Sequence, residues 1–352
     1  MINLGFSGSG IMDPGVVSFL ATIDASLIVI DCSWNMSPGE ITARAPVLVA
    51  YLRSHGHATT PIVFVEGTTG GQQWISNSSL PGTSGVIGGI DEPANRVALR
   101  AAFAAIVAKT PADKNLHLVD GDSLFHHSKG GTERAWEPTY EDPTVGGVHP
   151  TDLGHTRMSE FFQVFLPPLL KTSDDARTAA VQTVGGTSVL MGAGNDDGAP
   201  EEEQQQAQGQ QQEQTQEEQL GLSRLTQPQE AIEQEEAAPP ARKPGYTYAD
   251  LRTLGVHGRA FNDTAPGQYY SRLPAAAKAD VTTAVWGLSL DSTNQYVRFT
   301  TDAPSVHFTY QTQHACKGMW HMPTAGTCFL DLFAWDDHVA SWRHVGVSAR
   351  CP

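Results

Sequence analysis

Hydrophobic and polar positions divide the chain into three stretches of different rhythm. Over residues 1–170, short apolar runs alternate with longer segments of helical period. Ser26–Asp31 (SLIVID) and Pro61–Val65 (PIVFV) are β-branched runs with no polar interruption, the pattern of strands buried on both faces. Leu116–Val119 is a shorter strand of the same kind, and Ile2–Leu4 reads as the end of another, with an exposed sheet edge. Between them, Asp13 and Pro14 place an N-cap and an N1 proline ahead of the apolar stretch Val16–Ile23. Ser37-Pro38-Gly39-Glu40 is a capping box that opens a helix to about Ser54. Asp91–Lys109 is Ala-rich and helical, and Thr151–Leu166 is an amphipathic helix stopped by Pro167 and Pro168. This alternation predicts a parallel sheet covered by helices on both faces, with any chemistry at the carboxyl ends of the strands.

The other two stretches differ. Residues 171–243 form a linker whose segment 201–236 is almost wholly Glu, Gln and Ala. Such a segment buries too little apolar surface to offset its ordering entropy, which predicts disorder, with a single helix as the alternative. Residues 244–352 carry alternating or β-rich runs at Ala284–Leu290, Tyr296–Thr300, Val306–Gln311, Cys328–Trp335 and Trp342–Val347. Turn residues separate them, among them Asp291-Ser292-Thr293-Asn294 and Asp336-Asp337, and the pattern predicts a small antiparallel β-sandwich.

Composition narrows the possible functions. The net charge is −16, much of it in the Glu/Gln-rich linker, and no Lys/Arg cluster is present, which argues against a nucleic-acid partner. No apolar run reaches the roughly 18 residues of a membrane span. Met1–Gly10 shows neither a basic n-region nor a long apolar core, so no secretory signal is visible and the compartment stays open. Cys316 and Cys328 are close enough for a hairpin disulfide, with buried free thiols as the alternative. His314, Cys316, His321 and Cys328 fit no compact zinc motif, and no metal or organic cofactor is expected.

Three segments of the first stretch combine into a chemical pattern. Asn3–Gly10 (NLGFSGSG) is a Gly-rich turn, able to present a bare backbone N–H to a developing oxyanion. Cys32–Met36 (CSWNM) follows SLIVID and offers the carboxamide of Asn35 as a second donor. Gly147–His155 (GVHPTDLGH) places His149 on a loop before a helix, held by Pro150, where an imidazole can act as general base. Seen singly, each has a plainer reading as a turn, a cap or a solvated ring.

Together INLGFSGSG, MDPGVVSFLATIDASLIVIDCSWNMSP and GVHPTDLGH resemble the SGNH hydrolase superfamily, whose members are GDSL-like ester hydrolases. The likeness is to the subfamily with a small β-sandwich in front of the esterase domain. The resemblance implies a three-layer α/β/α flavodoxin-like parallel sheet over residues 1–170. It also implies oxyanion donors at Gly8 and Asn35 and a base at His149. YYSRLP (Tyr269–Pro274), AVWGLSLDS, Val297-Arg298-Phe299 and HMPTAGTCFLDLFAWDD resemble the subfamily's sandwich domain, so the two domains stand in reverse order.

Two departures follow. No Gly-Thr-Ser nucleophile block precedes the Asn-Leu-Gly-Phe-Ser-Gly segment. Ser7 is a poor stand-in, and Gly186-Thr187-Ser188 sits in the linker. The resemblance also places an orienting aspartate where this chain has Gly146, leaving Asp142 or Glu141 to take that part. The expected substrate is a small-molecule or carbohydrate ester such as an acetylated sugar, with the serine supplied by an upstream segment or a complementing chain. The alternative is an inactive fragment or a carbohydrate-binding module using Trp286, Trp320 and Trp335. The His126-His127 pair, Trp74, Trp136 and Tyr140 read as loop or cleft-mouth residues.

Overall fold

A computed structural model of the chain describes residues 1–68, 92–125, 144–145, 149–183, 244–265, 268–310, 312, 318 and 325–348. The β-branched runs become the parallel strands β1 (Ile28–Ile30), β2 (Ile62–Val65) and β3 (Leu116–Val119), hydrogen-bonded in the order β1-β2-β3. The register pairs Ile28 with Ile62 and Ile62 with Leu116. Every residue of β2 is buried, as a central strand in a doubly covered sheet requires.

Alternate side chains of these strands feed two cores. Ile28, Ile30, Ile62, Phe64 and Leu116 pack with Val17, Ile41, Ala45, Leu48, Val49, Leu52, Leu99, Ala102 and Ile106. Those partners belong to helices α1 (Pro14–Leu20), α2 (Pro38–Ser54) and α3 (Glu92–Lys109). On the other face, Val63, Val65 and Val119 meet Met158, Phe161, Phe162, Phe165 and Leu169 of α4 (Asp152–Thr183). The result is the α/β/α three-layer arrangement.

The local signals explain the helix starts. Asp13 accepts hydrogen bonds from Gly15 N (2.8 Å) and Val16 N (3.2 Å) and so caps α1. Ser37 and Glu40 form the capping box in both directions, with Ser37 N to Glu40 Oε2 at 2.8 Å and Glu40 N to Ser37 Oγ at 3.3 Å. At the amino pole of the sheet, Arg53 donates to Asp113 (2.7 Å) and to the carbonyls of His57 (2.6 Å) and Thr60 (2.8 Å), tying α2 to the chain entering β2 and β3.

Several expectations are corrected. Ile2–Leu4 forms no strand, and among the described residues the sheet edges are β1, where Val29 is 41% exposed, and β3. The first residues instead lean on the C-terminal part, where Asn294 Nδ2 donates to Met1 O (2.8 Å). Helix α4 does not stop at Pro167 and Pro168 but runs to Thr183. Burial of its aromatic face against β2 and β3 outweighs the two missing backbone donors. Ala284–Leu290 is not a strand but the core of helix α5 (Thr283–Ser289), capped by Thr282. Val281, Val285 and Leu288, at helical spacing, face one apolar cluster.

The C-terminal part contains the short helix α6 (Ala325–Cys328) and the antiparallel pair β6 (Asp331–Asp336) and β7 (Ser341–Val347), in register from Trp335–Trp342. Among the described residues, Tyr296–Thr300 contributes only a bridge from Tyr296 to His257, and Val306–Tyr310 forms no strand. Cys328 is disulfide-bonded. Cys316, Cys351 and the segment 201–236 lie outside the described residues. Met1–Ala176 with Gln234–Pro352 make one compact unit and Arg177–Glu233 a second. No described helix is long and apolar enough to cross a membrane.

Candidate active site

The carboxyl end of β1 runs through Asp31 and Cys32 into a 3-10 turn, Ser33–Asn35. That turn is held from two sides. Buried Ser33 accepts a hydrogen bond from Gly67 N, just past β2, at 2.7 Å. Asn95 of α3, fully buried, donates to the carbonyls of Ser33 (2.8 Å) and Met36 (2.6 Å). Among the described residues, the carboxamide of Asn35 has no hydrogen-bond partner and stands free at the strand end.

The Gly-rich segment crosses the same strand end. Ser9 N donates to Phe6 O (2.9 Å), closing a turn with Gly8 at φ +67°. A side chain at Gly8 would meet no atom within 4 Å, so the left-handed backbone, rather than crowding, is what favours glycine there. Two residues on, a methyl group at Gly10 would lie 3.1 Å from Asn35 Oδ1 and 3.7 Å from Asp31 O. The Gly8 amide is exposed and makes no hydrogen bond among the described residues. Gly10 thus brings the Gly-rich segment beside Asn35, and among the described residues neither the Gly8 amide nor the Asn35 carboxamide has a hydrogen-bond partner.

His149 is half-buried in the two-residue strand β5 (His149–Pro150), which pairs with β4 (Thr144–Val145) through Val145. Helix α4 begins directly after it. Arg157 on that helix donates to Phe125 O (3.3 Å), at the close of the 3-10 turn Gly121–Phe125 that leaves the carboxyl end of β3. This anchor puts the start of α4 at the same pole of the sheet as Asn35. Asp142, Glu141 and Gly146 lie outside the described residues, as do His126, His127, Trp74, Trp136, Tyr140 and Trp320.

Two nucleophile candidates can be judged on their surroundings. Ser7 is exposed and has no hydrogen-bond partner among the described residues, so nothing there activates its hydroxyl. Cys32 is a free cysteine beside the turn, and burial pushes its thiol up to about 11, which keeps it protonated and unreactive at neutral pH. Gly186-Thr187-Ser188 lies outside the described residues. So does a second Gly-Thr-Ser run, Gly82-Thr83-Ser84, which a strand-first reading passes over because no apolar run precedes it.

An ionic cluster just past β2 and β3 was not anticipated. Glu66, the first residue after β2, is 1% exposed and accepts hydrogen bonds from Arg100 Nε (2.5 Å) and Nη2 (2.7 Å) and from Arg96 Nε (3.3 Å). Arg96 also reaches Asp120 Oδ1, just past β3, at 2.9 Å. The signal was available: arginines four apart on one helix face an acid at a strand end. Nearby, burial pushes the carboxyl of Asp31 up to about 6, although the residue remains exposed and water screens much of that effect. Of the tryptophans proposed for sugar stacking, Trp286 packs into an apolar cluster, whereas Trp335 is 49% exposed beside Trp342 at 45%.

Residues 1–167 match the GDSL-like lipase/acylhydrolase family, and residues 246–351 match the N-terminal domain of SGNH-hydrolase-type esterases. No curated protein sequence matches the chain. Among solved structures, a protein of Bacteroides ovatus titled a GDSL-like lipase is 26% identical. It aligns over 47% of this chain and 42% of its own, with a TM-score of 0.35. A salicylyl-acyltransferase from a tetracycline biosynthetic pathway is 20% identical over 50% and 43%, with a TM-score of 0.30. The chain therefore spans less than half the length of these two structures. Taken together, segments 1–167 and 246–351 both resemble SGNH/GDSL-like hydrolases.

Proposed function

We propose that this chain hydrolyses small carboxylic esters, with O-acetylated carbohydrate as the substrate class. The observation that carries the reading is a Gly-rich turn brought beside Asn35 through Gly10, with the Gly8 amide and the Asn35 carboxamide both without a hydrogen-bond partner among the described residues. A carbonyl oxygen bound between them gains negative charge as the nucleophile attacks. Donors already fixed in place stabilise that charge without reorganising. His149 takes the proton from the attacking serine hydroxyl, returns it to the leaving alcohol, and then activates water against the acyl-enzyme. Asp142 is the acid proposed to orient the imidazole. No step needs a metal or organic cofactor. The described residues supply neither the attacking serine nor Asp142.

Turnover of p-nitrophenyl acetate by the purified chain, with His149→Ala as control, tests the reading. Labelling with a fluorophosphonate followed by peptide mapping identifies the serine. Turnover lost in His149→Ala supports the proposal, and neither turnover nor labelling refutes it. A second reading, a carbohydrate-binding module, is favoured by Trp335 and Trp342. These direct cross-strand partners are both half-exposed, with ring centroids 5.7 Å apart. Retention on an acetylated polysaccharide without turnover, lost in Trp335→Ala, would support that reading instead.

A further inference from the structure

The segment Ser271–Leu273 packs against the Gly-rich turn across the whole length of the sequence. Arg272 is buried, and its guanidinium donates to three carbonyls: Gly5 O (2.5 Å), Leu288 O (2.6 Å) and Asp291 O (2.9 Å). Its Cζ lies 4.5 Å from the centre of the Phe6 ring, which is itself buried. Phe6 forms one cluster with Leu273, Ala277 and Val285, joined by Leu4, Val16, Phe19 and Trp286. The fit is close enough that a methyl group at Gly15 would sit 2.0 Å from Asp280 O. The Arg272 end of this contact is fixed in turn, because Arg272 N donates to Ser289 O (2.8 Å) and Ser271 Oγ to Leu273 O (3.0 Å).

Gly5 and Phe6 are the foot of the turn that carries Gly8. The Phe6 carbonyl accepts the Ser9 amide that closes it, so the direction of the Gly8 N–H depends on where Gly5 and Phe6 are held. One side of that foot is the Arg272 guanidinium, which offers a planar fork of fixed donors that a lysine cannot reproduce.

We infer that Arg272 is a positioning residue for the Gly8 amide, so that the C-terminal part sets the geometry of the oxyanion turn. For its catalytic consequence the inference rests on the ester-hydrolase reading, but its physical content does not. Hydrogen exchange on the full chain separates the two. In Arg272→Met, exchange at the Ser9 amide should rise roughly ten- to a hundredfold, the factor expected for lost charge-assisted hydrogen bonds. Amides of α2 and β2 should keep their protection. Unchanged exchange at Ser9 overturns the inference. If Arg272→Met loses protection everywhere, Arg272→Lys decides. A rise confined to residues 5–10 then supports positioning, and a rise that follows α2 overturns it. On p-nitrophenyl acetate, Arg272→Lys should lower kcat at unchanged KM, whereas a purely structural part would lower the active fraction at unchanged pH profile. If the parent chain shows no turnover, the ester-hydrolase reading fails and the exchange result still judges Arg272.

Discussion

Replacing Glu66 by Gln tests the view that a buried charge holds the strand ends in register under the candidate site. The substitution keeps shape and volume but removes the negative charge between Arg96 and Arg100. The carboxylate is 1% exposed and accepts three guanidinium hydrogen bonds, so almost none of its interaction is shared with water. Removing one member of such a buried pair costs about 3–5 kcal/mol, because the remaining charge is left uncompensated. Arg100 is half-exposed and Asp120 remains available to both arginines, which places the expected loss at the lower end, about 3 kcal/mol. For a unit of this size that is a fall in Tm of roughly 6–12 °C. Thermal unfolding followed by circular dichroism reads it directly. Adding Arg100→Met to Glu66→Gln should recover part of the loss, since both ends of the pair are then apolar or neutral. A Tm within about 1 °C of the parent in the single variant, small against the effect expected of a buried pair, would refute the reasoning.

Three further outcomes are expected. Asn35→Ala should lower kcat by about 10²–10³, the cost of one oxyanion donor, with little change in Tm because the side chain makes no hydrogen bond among the described residues; equal kcat would remove Asn35 from the site. His57 and His117 are held below their ordinary value of 6.5, chiefly by burial. The unfolded chain therefore takes up protons first, and stability should fall as pH drops below about 6.5. Asp31, raised to about 6, acts in the opposite sense, so Tm against pH is best measured in Asp31→Asn, and a slope unchanged by His57→Asn would exclude His57 as its source. Cys32, half-buried and with its thiol pushed up to about 11, should react slowly with iodoacetamide at pH 8 until urea is added; rapid native labelling would contradict the protonated thiol.

The sheet was legible because its strands are unambiguous. SLIVID and PIVFV are β-branched runs with no polar gap, and the Ser37–Glu40 box marks a helix start by residues that bond each other. Ala284–Leu290 misled because seven residues hold too little periodicity, and the helical face appears only when Val281 is counted with Val285 and Leu288. Pro167 and Pro168 misled because the tertiary gain from Phe161, Phe165 and Leu169 is invisible to local rules. Gly8 and Asn35 could be picked from short patterns. Arg272 could not, since its partner Gly5 lies 267 positions away and a backbone carbonyl leaves no mark in a sequence.

The chain passing Gly67 and the chain passing Gly121 run against each other. A single added methyl at Gly121 would fall 2.1 Å from Gly67 O and 2.6 Å from Glu66 O. The ends of β2 and β3 are therefore closed against each other here by main chain alone. Even the smallest added side chain at Gly121 would therefore have to push two stretches of backbone apart, which makes this point a rigid clasp between the two strand ends.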